Sequence, residues 1–199
     1  MPVEAARPYH HGDLRRALIQ ATLQVIEQEG LAALSLRDLA RRAGVSHAAP
    51  VHHFGDKAGL LTAVAAQGFR VLAGELQDTY ASTDSFLEVG VAYVRFAVLH
   101  RAYFEVMFRP ELYHADDPAL QEARRAARAL LFGPVAQVPA GSDNAQRAGL
   151  AAWSLAHGLA TLLLSGNLPV ELSRDPEGLT RSVAGYLFAS PAESPSTQA

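Results

Sequence analysis

From Leu14 onward, apolar residues return at three- and four-residue steps, the spacing that lines side chains along one face of a helix. Leu14, Leu18, Ala21, Val25 and Ile26 predict a first helix, with Asp13 as its N-cap and Gly30 as its stop. Ser35 holds the N-cap position of a short helix at 36–43 closed by Gly44, and Ser46 can cap another at 47–53. Gly55-Asp56 then open a long helix expected to reach about Thr79. Further helices are expected at 85–108, 118–132, 145–165 and 176–189, with loops rich in Pro, Gly and Asp at 109–117 and 133–144. No segment alternates at period two. The pattern therefore predicts an all-α chain of about nine helices, a three-helix N-terminal head followed by a larger helical domain. The last ten residues, 190–199, carry Pro, Ser and Thr and are expected to be disordered.

Residues 34–61, LSLRDLARRAGVSHAAPVHHFGDKAGLL, hold the most specific local signal. Two helices this short, separated only by Gly44-Val45-Ser46, cannot be stable alone and must pack across one another. That is the layout of a helix-turn-helix. Ala40 is small where the helices cross, and Gly44 supplies the left-handed backbone a tight turn needs. Leu36, Leu39, Val45, Val51 and Phe54 are spaced to face a core shared with the first helix, leaving His47, Ala48, Ala49 and His52 pointing outward. Pro50 falls near the end of its helix's first turn, where at most one hydrogen bond is forfeited. Spacing alone leaves open that the pair is simply part of a helical core.

Composition narrows the classes. The 199 residues suffice for one large domain or two small ones, and Ala and Leu, about a third of them, favour helix. With no cysteine, disulfides, thiolate metal sites and cysteine nucleophiles are excluded. The net charge of −3 argues against nucleic acid as a partner, but it is an average. Residues 1–60 carry +1 with five of the eight histidines, and residues 61–199 carry −4. The start of the chain has no apolar run, and the longest apolar stretch, 159–164, falls far short of the roughly 20 residues a bilayer requires. A cytoplasmic protein is expected. HExxH, GxSxG and Gly-rich phosphate loops do not occur, so no enzyme and no cofactor are expected. His10-His11, and separately His114 with Asp116 and Asp117, offer ligands to a metal, which makes a metal-responsive regulator the alternative reading.

The 34–61 stretch resembles the DNA-binding head of the TetR family of transcriptional regulators, through His52, His53, Phe54 and the Lys57 that opens the following helix. Val51 stands where members often carry Tyr. Tyr9-His10-His11-Gly12-Asp13-Leu14, the 104–112 segment FEVMFRPEL, and Trp153, His157 and Gly158 spaced as W-x-x-x-H-G resemble one subgroup. The resemblance implies a DNA-binding head at 1–56 and a ligand-binding and dimerisation domain at 57–189. Phosphate contacts are then expected from Ser35, Arg37, Ser46, His53 and Lys57, and base-edge contacts from His47, Ala48, Ala49 and His52. Arg41 and Arg42 read as a solvated helix face. The resemblance also implies that the last two helices form a four-helix bundle with their copies in a second subunit. Ala151, Gly158, Leu159, Leu162, Leu179, Val183, Tyr186 and Leu187 are the candidates for that interface. Tyr93, Phe96, His100, Tyr103, Phe104, Met107 and Phe108, with Trp153 and His157, are read either as plain core or as a ligand cavity with His100, Tyr103 and His157 as polar handles. The protein so implied is a homodimeric repressor of a palindromic double-stranded DNA operator, released by a small apolar effector.

Overall fold

Helix is the only regular structure among the described residues, which in the computed structural model are 11–133 and 145–188, with side chains described for 14–133 and 145–185. Ten α-helices occur there: α1 His11–Glu29, α2 Leu36–Arg42, α3 Ala48–Phe54, α4 Lys57–Thr83, α5 Phe86–Leu99, α6 Arg101–Met107, α7 Pro118–Phe132, α8 Ala145–Leu164, α9 Val170–Ser173 and α10 Pro176–Phe188. Short 3-10 turns lie at Leu31–Ala33 and Pro110–Leu112. The loop expected at 133–144 and the tail at 190–199 fall outside the described residues, apart from Gly133.

Three elements depart from the sequence expectation. The helix expected at 85–108 is two, because His100 leaves the helical basin (φ −119°, ψ 44°) between α5 and α6. Its ring lies 4.9 Å from the Phe96 ring, and its Nε2 is 2.8 Å from the Glu75 carboxylate. The short α9 forms after Pro169, in a stretch to which no helix is assigned from the sequence. Asp13 lies in the first turn of α1 rather than before it.

The chain divides into two compact units, one from Met1–Gly68 with Ala102–Gln121, the other from Phe69–Arg101 with Glu122–Ala199. In the first, α1, α2 and α3 pack on one another around Leu18, Ile19, Val25, Leu39 and Ala40, all buried. The end of α2 shows how the turn is made. Gly44 (φ 65°) takes the left-handed conformation, its N–H donates to the Arg41 carbonyl at 3.2 Å, and the Val45 N–H donates to the Ala40 carbonyl at 3.0 Å. This paired closure satisfies carbonyls that a helix end otherwise leaves bare and aims the chain into α3. Pro50 is the buried residue of α3. α4 starts from an Asp56 cap, whose Oδ1 accepts the Gly59 N–H at 2.7 Å. Gly59 lies directly against the carbonyl oxygen of Phe54, the last residue of α3.

In the second unit α5 packs against α8 and α10. Ser85 caps α5 by accepting the Glu88 N–H at 3.3 Å, and Asp175 caps α10 by accepting the Gly178 N–H at 2.9 Å. Arg181 of α10 donates to both carboxylate oxygens of Glu88 on α5, at 2.8 and 2.9 Å. That pair holds the Glu88 carboxyl below its ordinary range and the Arg181 guanidinium above its own.

Gly59 and Gly74, both in α4, should respond oppositely to a methyl group. At Gly59 it would overlap backbone, whereas Gly74 has nothing within 4 Å. Gly59→Ala should destabilise by about 1–3 kcal/mol through overpacking. Gly74→Ala should stabilise by about 0.5–1 kcal/mol through helix propensity. Thermal unfolding of the two variants beside the parent checks both signs.

Candidate nucleic-acid interface

The turn at Gly44 leaves one side of α3 uncovered. His47, Ala48, Val51 and His52 are exposed there, while Ala49 and His53 are half-buried and Pro50 is buried. Val51 was expected in the core and is instead 51% exposed. The reason is angular: Pro50 and Phe54, four residues apart, take the inward side of the helix, which turns Val51 out beside Ala48 and His52. Of the five apolar residues expected to share the core, Leu39 is fully buried, and Leu36, Val45 and Phe54 are half-buried. Arg15 of α1 stacks over the Phe54 ring with its guanidinium carbon 5.3 Å from the centroid, which anchors the end of α3.

Around this face the cations sort into two kinds. Arg41 donates to Asp38 at 2.6 Å, and Arg42 donates to Asp38 and, at 2.6 Å, to Glu29. Those bonds pull the Asp38 carboxyl below its usual range and raise the Arg42 guanidinium, so this cluster is internally neutralised rather than merely solvated. Arg37 and Lys57 are exposed and have no ion-pair partner among the described residues. Ser35 and Ser46 are exposed as well, and the Ser35 hydroxyl makes no capping bond to α2. Lys57 opens the 27-residue α4, where unpaired backbone N–H groups add partial positive charge. Seven members of the expected contact set are therefore exposed on the first unit, with Ala49 and His53 half-buried.

The second unit carries a buried polar cluster. The Tyr93 hydroxyl lies 2.8 Å from His157 Nδ1, and the Trp153 indole N–H donates to the same hydroxyl at 3.3 Å. Burial raises the Tyr93 phenol and lowers the His157 imidazole, which favours the neutral form of both groups. Beside Trp153 is a cavity of ≈30 Å³ whose apolar walls include Phe86, Val89, Leu131, Ala156 and Ala184.

Residues 18–64 match the family model for bacterial regulatory proteins, tetR family, and residues 86–185, about half of the chain, match the model for a tetracyclin repressor-like C-terminal domain. The chain belongs to the TetR family. The HTH-type transcriptional regulator BetI of Rhizobium meliloti is 32% identical over 185 residues, covering 85% of this chain and 84% of that protein. BetI of Paraburkholderia phytofirmans is 52% identical over 52 residues, covering 26% of this chain and 27% of that protein. A solved structure from Rhodococcus sp. RHA1, of a protein with unknown function, aligns with a TM-score of 0.75 at 33% identity, covering 92% of this chain and 97% of that one. As a TetR-family member the protein is a ligand-responsive, DNA-binding transcriptional regulator and not an enzyme.

Within this TetR-family chain the other expected residues are placed as follows. Tyr93, Phe96, His100, Trp153 and His157 belong to the second unit, and Tyr103, Phe104, Met107 and Phe108 to the first. Tyr93, Phe96 and Met107 are wholly buried. The three expected polar handles are engaged internally: His100 with Glu75, His157 with Tyr93, and Tyr103 with Gln20. Of the interface candidates Ala151, Gly158 and Leu162 are exposed, Leu179 and Val183 half-buried, and Leu159 buried. The side chains of Tyr186 and Leu187 lie outside the described residues. The metal-responsive alternative finds no support, because among the described residues no three His, Asp or Glu side chains come together. His114 lies 3.6 Å from Asp56 instead, and His10 is outside the described residues. Among the described residues no helix is long and apolar enough to cross a membrane.

The neutral state of His157 sets a pH dependence. The unfolded chain takes up a proton there near the ordinary value of 6.5, and the folded chain does so only at lower pH. Stability is therefore intact above that value and lost as pH falls from it toward the folded pKa. The melting temperature should decline as pH falls below about 6.5, and His157→Gln should flatten the decline relative to the parent.

Proposed function

We propose that the protein is a homodimeric repressor that reads a palindromic DNA operator with α3 and leaves it when a small, largely apolar effector binds. The observation that carries this reading is the uncovered face of α3, set on a three-helix core, with Ser35, Arg37, Ser46 and Lys57 exposed in the segments that flank it in sequence. In this reading 1–56 forms the DNA-binding head, 57–189 the effector and dimerisation domain, and the chain acts in the cytoplasm where its DNA is. Arg37, Lys57, Ser35, Ser46 and His53 hold phosphates, and His47, Ala48, Ala49 and His52 meet base edges. One head presents few contacts, so a dimer is needed, with its reading helices spaced ~34–36 Å apart.

The dimer is favoured by an exposed stripe on α8, where Leu150 and Leu162 flank Ala151 and Gly158. Leu150 and Leu162 are 50% and 43% exposed, and the small residues let a second backbone come close. Leu179 and Val183 of α10 adjoin that surface in this reading, with Leu159 supporting it from within its own chain. The W-x-x-x-H-G subgroup is supported by the joint use of Trp153 and His157 around Tyr93. The effector seat is the apolar cavity beside Trp153, backed by that cluster. At ≈30 Å³ it admits little more than a water molecule, so any larger effector must bind a conformation opened relative to this one. An effector that selects a different conformation can lower operator affinity by its difference in affinity for the two.

Binding selection from random duplex tests the reading, and recovery of palindromes is expected. Arg37→Ala and Lys57→Ala should weaken binding to every sequence, and each should lower the salt slope by about one, since each frees one phosphate. His47→Ala should change base preference instead. Leu162→Glu should shift the protein to monomer in sedimentation and abolish operator binding.

A further inference from the structure

We propose that Val51 is a specificity-determining residue: with Ala48 it forms an apolar strip that packs on thymine 5-methyl groups of the operator. This rests on the operator reading above and adds the base chemistry that the reading helix selects. α3 is seven residues long and has one exposed face, on which Val51 is the largest apolar side chain, 51% exposed. Ala48 stands three residues before it, hence on the same side of the helix and in contact range of the same surface. His47 and His52 bracket the strip with ring nitrogens. Arg37 of α2 and Lys57 at the start of α4 are exposed cations on the helices that flank α3 in sequence, of the sign that a phosphate backbone requires.

Val51 has no hydrogen-bonding group in its side chain, so it can read neither a purine N7 or O6 nor a cytosine amine, nor hold a phosphate. The apolar group that base pairs present in the major groove is the thymine methyl. A branched aliphatic side chain at the middle of the strip gains by covering that methyl and is left against a polar edge when the base pair is G·C. Selectivity for thymine follows from apolar burial alone, and it operates beside any hydrogen bonds made by the two imidazoles.

The test uses the duplex recovered by selection, with single thymines replaced by deoxyuridine, which removes only the methyl. Wild type, Val51→Ala and Val51→Thr are titrated by mobility shift. One thymine in each half-site is expected whose replacement weakens wild type by about fourfold per methyl, and weakens Val51→Ala by less than about twofold because the smaller side chain no longer reaches that methyl. Val51→Thr, which keeps a methyl, should retain part of the dependence. Equal affinity of the variants and wild type for random duplex shows that the heads are folded. If no deoxyuridine position weakens wild type, or if the same position weakens Val51→Ala equally, the role of Val51 is overturned while the operator reading stands. Failure to recover any preferred duplex overturns the operator reading itself, and this inference with it.

Discussion

Two helices of seven residues have too few internal hydrogen bonds to persist in water, so α2 and α3 exist because other elements hold them. The restraint is concentrated at their ends. Gly44 closes α2 with two backbone bonds, Arg15 stacks over Phe54 at the far end of α3, and Gly59 brings α4 directly against the Phe54 carbonyl. The orientation of the reading face follows from this clamping, because α3 is fixed where it enters and where it leaves. Pro50, buried in its first turn, marks which side faces in. Val51 and His52 then point to solvent without any choice of their own.

Much of this is legible in the residue order. Gly30, Gly44 and Gly55 punctuate the head, and all three carry positive φ, the condition that makes glycine the natural residue at such points. What the spacing could not supply was the phase of α3. One residue of shift at its start exchanges an inward Val51 for an outward one, and spacing alone does not reveal that Pro50 is the buried residue of α3. The break at His100 was hidden for a related reason. Apolar period runs through Phe96 to Met107 without interruption, and the partner that draws His100 away is Glu75, twenty-five residues earlier.

The aromatic set shows a different limit. Helical spacing says which residues share a face, and it is silent on whether that face is filled. Tyr93 and Phe96 are fully buried, and a small apolar cavity lies beside Trp153 instead. The polar groups expected to greet a ligand are already engaged, His100 with Glu75, His157 with Tyr93 and Tyr103 with Gln20. In the proposed reading, effector binding at the cavity beside Trp153 competes with this network, and its coupling to the rest of the second unit includes the cost of loosening Tyr93, Trp153 and His157.

The ion pairs of α2 reach beyond stability. Asp38 and Glu29 absorb Arg41 and Arg42, which would otherwise lend the head a broad positive field. A surface stripped of that field holds arbitrary DNA loosely, so each chance landing is brief and travel along the duplex before release is short. On the proposed operator reading, such a head searches DNA by many separate collisions and remains only where shape and bases agree.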